Sequence, residues 1–206
     1  MIAVIDYGVG NLFSLTASLK YLGADVKVTG EKEEIEAADR IILPGVGAFA
    51  DAKEKLDQTG LVETILEQTA DGKPLLGICL GMQLLFDESH EYGVHKGLGL
   101  IKGKIASIDE DLEKAGIAGL KVPHIGWNSL QFEKDEPLFR YNKPGDYVYY
   151  VHSFYGTDCE ESIIATSEYG VTVTGAVRSG KVYGTQFHPE KSGEAGLKML
   201  KAFMEV

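Results

Sequence analysis

Apolar positions along the chain follow two rhythms. In the first half, short unbroken apolar runs alternate with segments whose apolar residues recur every three or four positions. MIAVID (1–6) is the kind of run expected of a strand buried on both faces. After YGVG, Leu12, Leu15, Leu19 and Leu22 share one helical face, with Asn11 placed to cap its start and Gly23 to stop it. DVKVTG (25–30) alternates like a strand, and RIILP (40–44) is another buried strand, ending in PGVG. Two helical stretches, about 48–58 and 61–71, are split by Gly60. KPLLGI (73–78) predicts a strand and MQLLFDES (82–89) a helix. Repeated strand–helix units predict a parallel sheet covered by helices.

Beyond about residue 97 the pattern changes. GLGLIKGKIASI, LKVPHIGWNSLQF, DYVYYVHSF, SIIATSEYG and VTVTGAVRSGKVYGTQF favour strands broken by turn residues, with RSGK (178–181) as a hairpin turn. An amphipathic helix over about 193–204 closes the chain, with Leu197, Leu200 and Met204 on one face. The expected fold is α/β: a three-layer sandwich with a mostly parallel central sheet flanked by helices, plus additional antiparallel strands in the second half. No repeat, low-complexity segment or Pro-rich linker divides residues 1–206, so one domain is expected.

Composition narrows the functional classes. The 206 residues suffice to bury a sizeable core. Against 31 acidic side chains stand 20 Lys and Arg, a net charge of -11, which disfavours a nucleic acid as main partner. The start, MIAVIDYG, lacks the basic head of a signal peptide. The longest apolar stretch, PLLGICLGMQLLF (74–86), falls short of the ~20 residues that span a bilayer. Cys79 and Cys159 are the only cysteines, and no CxxC is present, so no disulfide framework is expected. These features point to a cytoplasmic protein without a membrane partner.

Three short patterns are set aside. Gly8-Val9-Gly10 lacks the third glycine of a dinucleotide fingerprint, since Phe13 stands there. Gly175 to Lys181 matches a phosphate loop, but Val182 replaces the required Ser or Thr and strands flank it. His90, Glu91 and His95 miss the zinc spacing H-E-x-x-H by one residue, so no metal is expected.

Chemistry concentrates at Gly77-Ile78-Cys79-Leu80-Gly81, where a buried strand meets a helix. Glycines on both sides of a cysteine suit a sharp elbow that lifts the sulfur from the sheet's carboxyl edge towards a helix N-terminus. Far along the chain, His188-Pro189-Glu190 follows the strand VYGTQF. A thiol nucleophile needs a base to move its proton, and the imidazole needs an anion to orient it. In extended backbone Glu190 would lie on the same side as His188. PGVG supplies donors for a developing oxyanion, with the amides of Val46 and Leu80 as candidates.

The segments PGVGAF (44–49), GICLGMQLLF (77–86) and QFHPEKS (186–192) resemble class I, triad-type glutamine amidotransferase domains. With DYGVGNLFSL, PHIGWN (123–128) and YYVHSF (149–154), the ordered set is similar to the glutaminase subunits of imidazole glycerol phosphate synthase over nearly the whole chain. That resemblance implies that Cys79 attacks the glutamine carboxamide, His188 shuttles the proton and Glu190 orients the imidazole. Gly45, Val46 and Gly47 would line the oxyanion strand. Gln83, Glu91 and the backbone of Ser153 and Phe154 would bind glutamine, with no cofactor. The implied partner is a (β/α)₈-barrel cyclase that receives the ammonia, forming a heterodimer through Trp127, Asn128, Tyr149 and Lys191. For Trp127, the only tryptophan, the competing role is that of a core anchor. The isolated subunit should be nearly inactive, with the glycines at 45 and 47 letting the oxyanion strand rearrange. The same chemistry serving anthranilate, guanylate or pyridoxal phosphate synthesis, or a stand-alone cysteine hydrolase, remains a competing reading.

Overall fold

In the computed structural model, which describes residues 1–206, the strand-like runs of the first half become strands of one parallel sheet. The first, β1 (Ile2–Ile5), is buried at every position, as unbroken apolar runs are when helices lie on both faces. In α1 (Leu12–Tyr21) the Asn11 carboxamide oxygen accepts from the Ser14 amide and Leu15 and Leu19 face inward. Next come β2 (Val26–Thr29), α2 (Lys32–Ala37) and β3 (Arg40–Gly45). Helices α3 (Phe49–Thr59) and α4 (Leu61–Ala70) break at Gly60, whose φ of +71° favours glycine. The chain then enters β4 (Leu75–Cys79) and the short α5 (Leu80–Leu84).

The second half adds β5 (Phe86–Ser89), β6 (His95–Lys96), β7 (Ile101–Ser107), α6 (Ile108–Lys114), β8 (His124–Ser129) and β9 (Gln131–Phe132). It ends with β10 (Tyr147–His152), β11 (Phe154–Thr157), β12 (Ile163–Tyr169), β13 (Val171–Ser179), β14 (Val182–Thr185) and α7 (Gly193–Phe203). The main sheet has the order β2-β1-β3-β4-β14-β13-β12-β9. The run from β2 to β14 is parallel, and the remaining pairings are antiparallel. Side chains alternate between two cores. Ala3, Ile5, Ile41 and Leu43 pack under α2 to α5, while Ile2, Val4, Ile42 and Leu76 pack under α1 and α7. Two smaller sheets, β10-β8 and β11-β7-β5-β6, stand beside the main one. No helix is long and apolar enough to cross a membrane.

Four features depart from the sequence expectation. The stretch 82–89 is not one helix: α5 stops at Leu84, and Phe86–Ser89 pairs parallel with β7. Phe86 and Ser89 are buried and Asp87 is exposed, a spacing that reads as helix in the sequence, and it is the ladder to β7 that makes this segment a strand. Helix α2, rich in acidic residues, was not anticipated. Neither was α6, although Ser107-x-x-Glu110 has the spacing of a capping box and Ser107 Oγ accepts from the Glu110 amide. The inward stripe of α7 is Gly196, Met199, Leu200 and Phe203, with Leu197 and Met204 only half-buried. The helix is rolled so that its glycine meets Pro189.

Candidate active site

The carboxyl ends of three adjacent parallel strands, β3, β4 and β14, define the site. Gly45 is the register partner of Cys79, and Ile78 that of Thr185. Cys79 sits at φ 55°, ψ -112°, a backbone conformation that costs a non-glycine residue ~1–3 kcal/mol. Its neighbours explain how that bend persists. A Cβ at Gly81 would overlap the Leu43 carbonyl of β3, standing 2.8 Å from its carbon, and one at Gly77 would lie 2.8 Å from Met82 Cα. Bare backbone at both positions lets α5 start directly against the sheet.

His188 leaves β14 in extended conformation (φ -97°, ψ 100°), and residues 189–191 form one turn of 3-10 helix. Glu190 therefore reaches the imidazole through a tight turn, not along the extended strand that the spacing suggested. Pro189, with no N–H to lose, opens that turn. His188 Nδ1 and Glu190 Oε1 are 2.8 Å apart, both side chains almost wholly buried. Nε2 is buried and makes no hydrogen bond within the protein. Burial alone would lower this imidazole's pKa, but interactions with Cys79 and Glu190 more than reverse that and raise it to about 9. Ser192 locks the turn: its hydroxyl donates to the His188 carbonyl at 2.6 Å and accepts from the Tyr149 amide at 3.0 Å. The His188 amide in turn donates to the Tyr149 carbonyl.

Cys79 and His188 line a common cleft of about 400 Å³ with Val46, Gly47, Leu80, Gln83, Glu91, Ser153, Phe154 and Lys191. Gly45 lies beneath it, where a Cβ would stand 2.7 Å from the Gly81 amide nitrogen. Tyr7, unremarked in the sequence, props this strand: its buried hydroxyl donates to the Pro44 carbonyl at 2.7 Å. Gln83 Nε2 donates to the Phe154 carbonyl and to Gln186 Oε1, each at 3.0 Å. Gln186 Nε2 lies 3.8 Å from the Cys79 sulfur as donor. Glu91 accepts from the Phe49 amide at 2.7 Å, closing the open N-terminus of α3. Burial nonetheless pushes its carboxyl pKa upward.

The remaining singled-out residues form a rim. Trp127 is 55% exposed, beside exposed Ile125 and Tyr147, so it anchors no core. Tyr149 meets the Trp127 ring edge-on, 6.1 Å between centroids, and Lys191 Nζ lies 6.0 Å from the centre of the Tyr149 ring. Asn128 turns inward instead, donating to the Glu168 carbonyl at 2.9 Å and to His124 at 3.3 Å. His124, His152, Gln186 and Ser192 fall within the motifs that mark the family, yet the sequence alone assigns them no part. For His124, His152 and Gln186 the only signal was their polar character within strand-like segments, and Ser192 lies in the polar turn before α7 with no signal of its own.

The chain matches the family described as glutamine amidotransferase class-I over residues 3–206. It is 48% identical to the imidazole glycerol phosphate synthase subunit HisH of Listeria monocytogenes over 206 residues, all of this chain and 96% of that protein. It is 50% identical to the HisH subunit of Bacillus licheniformis with the same coverage. Among solved structures, PurLQS from Thermotoga maritima superposes with a TM-score of 0.76 at 20% identity, covering 99% of this chain and 97% of that one.

Proposed function

The chain belongs to the class I glutamine amidotransferase family, and from that membership we propose how its cleft works. It hydrolyses glutamine for imidazole glycerol phosphate synthase in histidine biosynthesis. The Cys79 sulfur, its proton held by His188, attacks the side-chain carboxamide carbon of glutamine. As the carbon–nitrogen bond breaks, His188 gives its proton to the nitrogen, which leaves as ammonia, and a glutamyl thioester remains. Water then attacks the thioester, its proton passing to His188, and glutamate and free Cys79 result. Glu190 holds the imidazole so that Nε2 faces the reacting atoms. The amides of Val46 and Leu80, with Gly47 beside them, receive the oxyanion. Gln83, Glu91 and the backbone at Ser153 and Phe154 border the space for the amino acid.

One observation carries this reading: a buried imidazole bonded to Glu190 through Nδ1, its Nε2 unbonded, borders the same cleft as a cysteine on a strained elbow.

The ammonia passes to a cyclase subunit docked on the rim of Trp127, Tyr149 and Lys191, because in bulk water it would be protonated and lost. Asn128 supports that rim from within. Gating of the oxyanion strand falls on its last residues. Gly45 is hemmed in by Gly81 and Tyr7, whereas Gly47, at φ +96°, has open space where a side chain would be. The test is glutamine hydrolysis by the purified chain with and without cyclase, together with mass detection of an adduct on Cys79 from a glutamine-mimicking electrophile. Hydrolysis only with cyclase, and modification at Cys79, are expected. No hydrolysis with cyclase and no adduct would overturn the assignment; full activity alone would overturn the gating.

A further inference from the structure

Two buried imidazoles outside the triad share a hydrogen bond. His124 Nδ1 lies 3.0 Å from His152 Nε2. His152 Nδ1 lies 2.8 Å from the Phe154 carbonyl, and Asn128 Nδ2 lies 3.3 Å from His124 Nε2. The ends of this chain fix its direction. The carbonyl can only accept, so His152 carries its proton on Nδ1 and offers a lone pair at Nε2. His124 must then donate from Nδ1 and accept at Nε2. The other end demands the same order: Asn128 Oδ1 accepts from the Ser129 amide at 2.8 Å, which leaves the Nδ2 group facing His124. A proton added to either ring would set N–H against N–H. Burial agrees, lowering the pKa of His124 to about 4 and of His152 to about 3. Stacking fixes the His124 ring plane, between Tyr150 at 4.6 Å and Tyr169 at 4.0 Å.

The chain ends inside the cleft. The Phe154 carbonyl that receives His152 also receives Gln83, which holds Gln186, which donates to the Cys79 sulfur. We propose that His124 and His152 are positioning residues for glutamine hydrolysis: a neutral pair, each protonated on Nδ1, that sets the backbone at 153–154 and the Gln83–Gln186 arm against the nucleophile. This rests on the glutaminase reading of the cleft. It assigns work to PHIGWN and YYVHSF beyond the exposed rim.

Two substitutions in the complex with cyclase separate hydrogen bonding from packing. His124→Phe keeps a stacked ring and removes both nitrogens. His124→Asn loses the ring but leaves an amide donor near the place of Nδ1. His124→Phe is expected to lower kcat/KM for glutamine about tenfold, mainly through KM, and His124→Asn to stay within about threefold, the scale of one buried hydrogen bond. Nitrogen-15 NMR of the wild type should find both rings protonated on Nδ1 at neutral pH. An Nε2-protonated or cationic ring, unchanged kinetics in His124→Phe, or equal damage in both variants would overturn the proposal. A wild-type complex without glutaminase activity would sink the glutaminase reading instead, and the tautomer measurement would still decide whether the pair exists.

Discussion

Gly196→Ala should damage catalysis far more than stability, although residue 196 does not line the cleft. Helix α7 lies against the 189–191 turn at this glycine. A Cβ there would stand 2.6 Å from the Pro189 carbonyl carbon and 2.9 Å from its Cα, closer still to the oxygen. Carbon atoms rest at about 3.5–4.0 Å, so helix and turn must separate by about 1 Å. The turn cannot absorb this privately. Pro189 is stiff at φ and sits between His188 and Glu190, and Ser192 bolts the same turn to Tyr149. The clash costs ~1–3 kcal/mol, while alanine gains ~1 kcal/mol in helix propensity. The net loss is therefore ~0–2 kcal/mol, a fall of a few degrees in Tm. Displacing a catalytic group by about 1 Å costs on the order of 100-fold in rate. The assay is glutamine turnover by the complex with cyclase beside a thermal melt, with Lys198→Ala as a control on the same helix. Turnover within threefold of wild type in Gly196→Ala would refute the coupling between helix packing and the His–Glu pair.

Further expectations concern protons and the rim. Glu190→Gln should lower kcat roughly 10²- to 10⁴-fold with little change in KM, because an amide no longer orients the imidazole; kcat within threefold of wild type would contradict the role. His188 in the folded chain holds its proton up to about 9, against 6.5 for a free imidazole. It thus adds stability that is full below about pH 6.5 and lost as pH rises through about 9. Turnover should fall over that upper limb as the proton for ammonia is lost, and a rate flat to pH 10 would refute this. His124 and His152 behave oppositely: their depressed values, about 4 and about 3, give stability that is full above pH 6.5 and lost as pH falls towards those values. Denaturant midpoints between pH 7 and 4 should show it, with a shallower slope in His124→Phe; an unchanged slope would tell against a neutral pair. Trp127→Ala should leave the melting temperature nearly unchanged and weaken cyclase binding by about 10- to 100-fold, and unaltered affinity would move the docking surface elsewhere.

Local physics was legible in the sequence. Unbroken apolar runs marked β1, β3 and β4, Asn11 and Gly60 marked helix ends, and paired glycines around Cys79 marked the elbow, because each depends on residues within four positions of one another. The dipeptide distance from His188 to Glu190 was also readable, though not the 3-10 turn that closes it. What the sequence could not reveal was pairing across long separations. His124 meets His152 over 28 residues, Glu91 caps the helix at Phe49 over 42, and Gln186 reaches Cys79 over 107. In a lone strand, a histidine or glutamine reads as a position facing water. Strand order and register turned these residues inward together, and burial away from water leaves other protein groups as their hydrogen-bond partners.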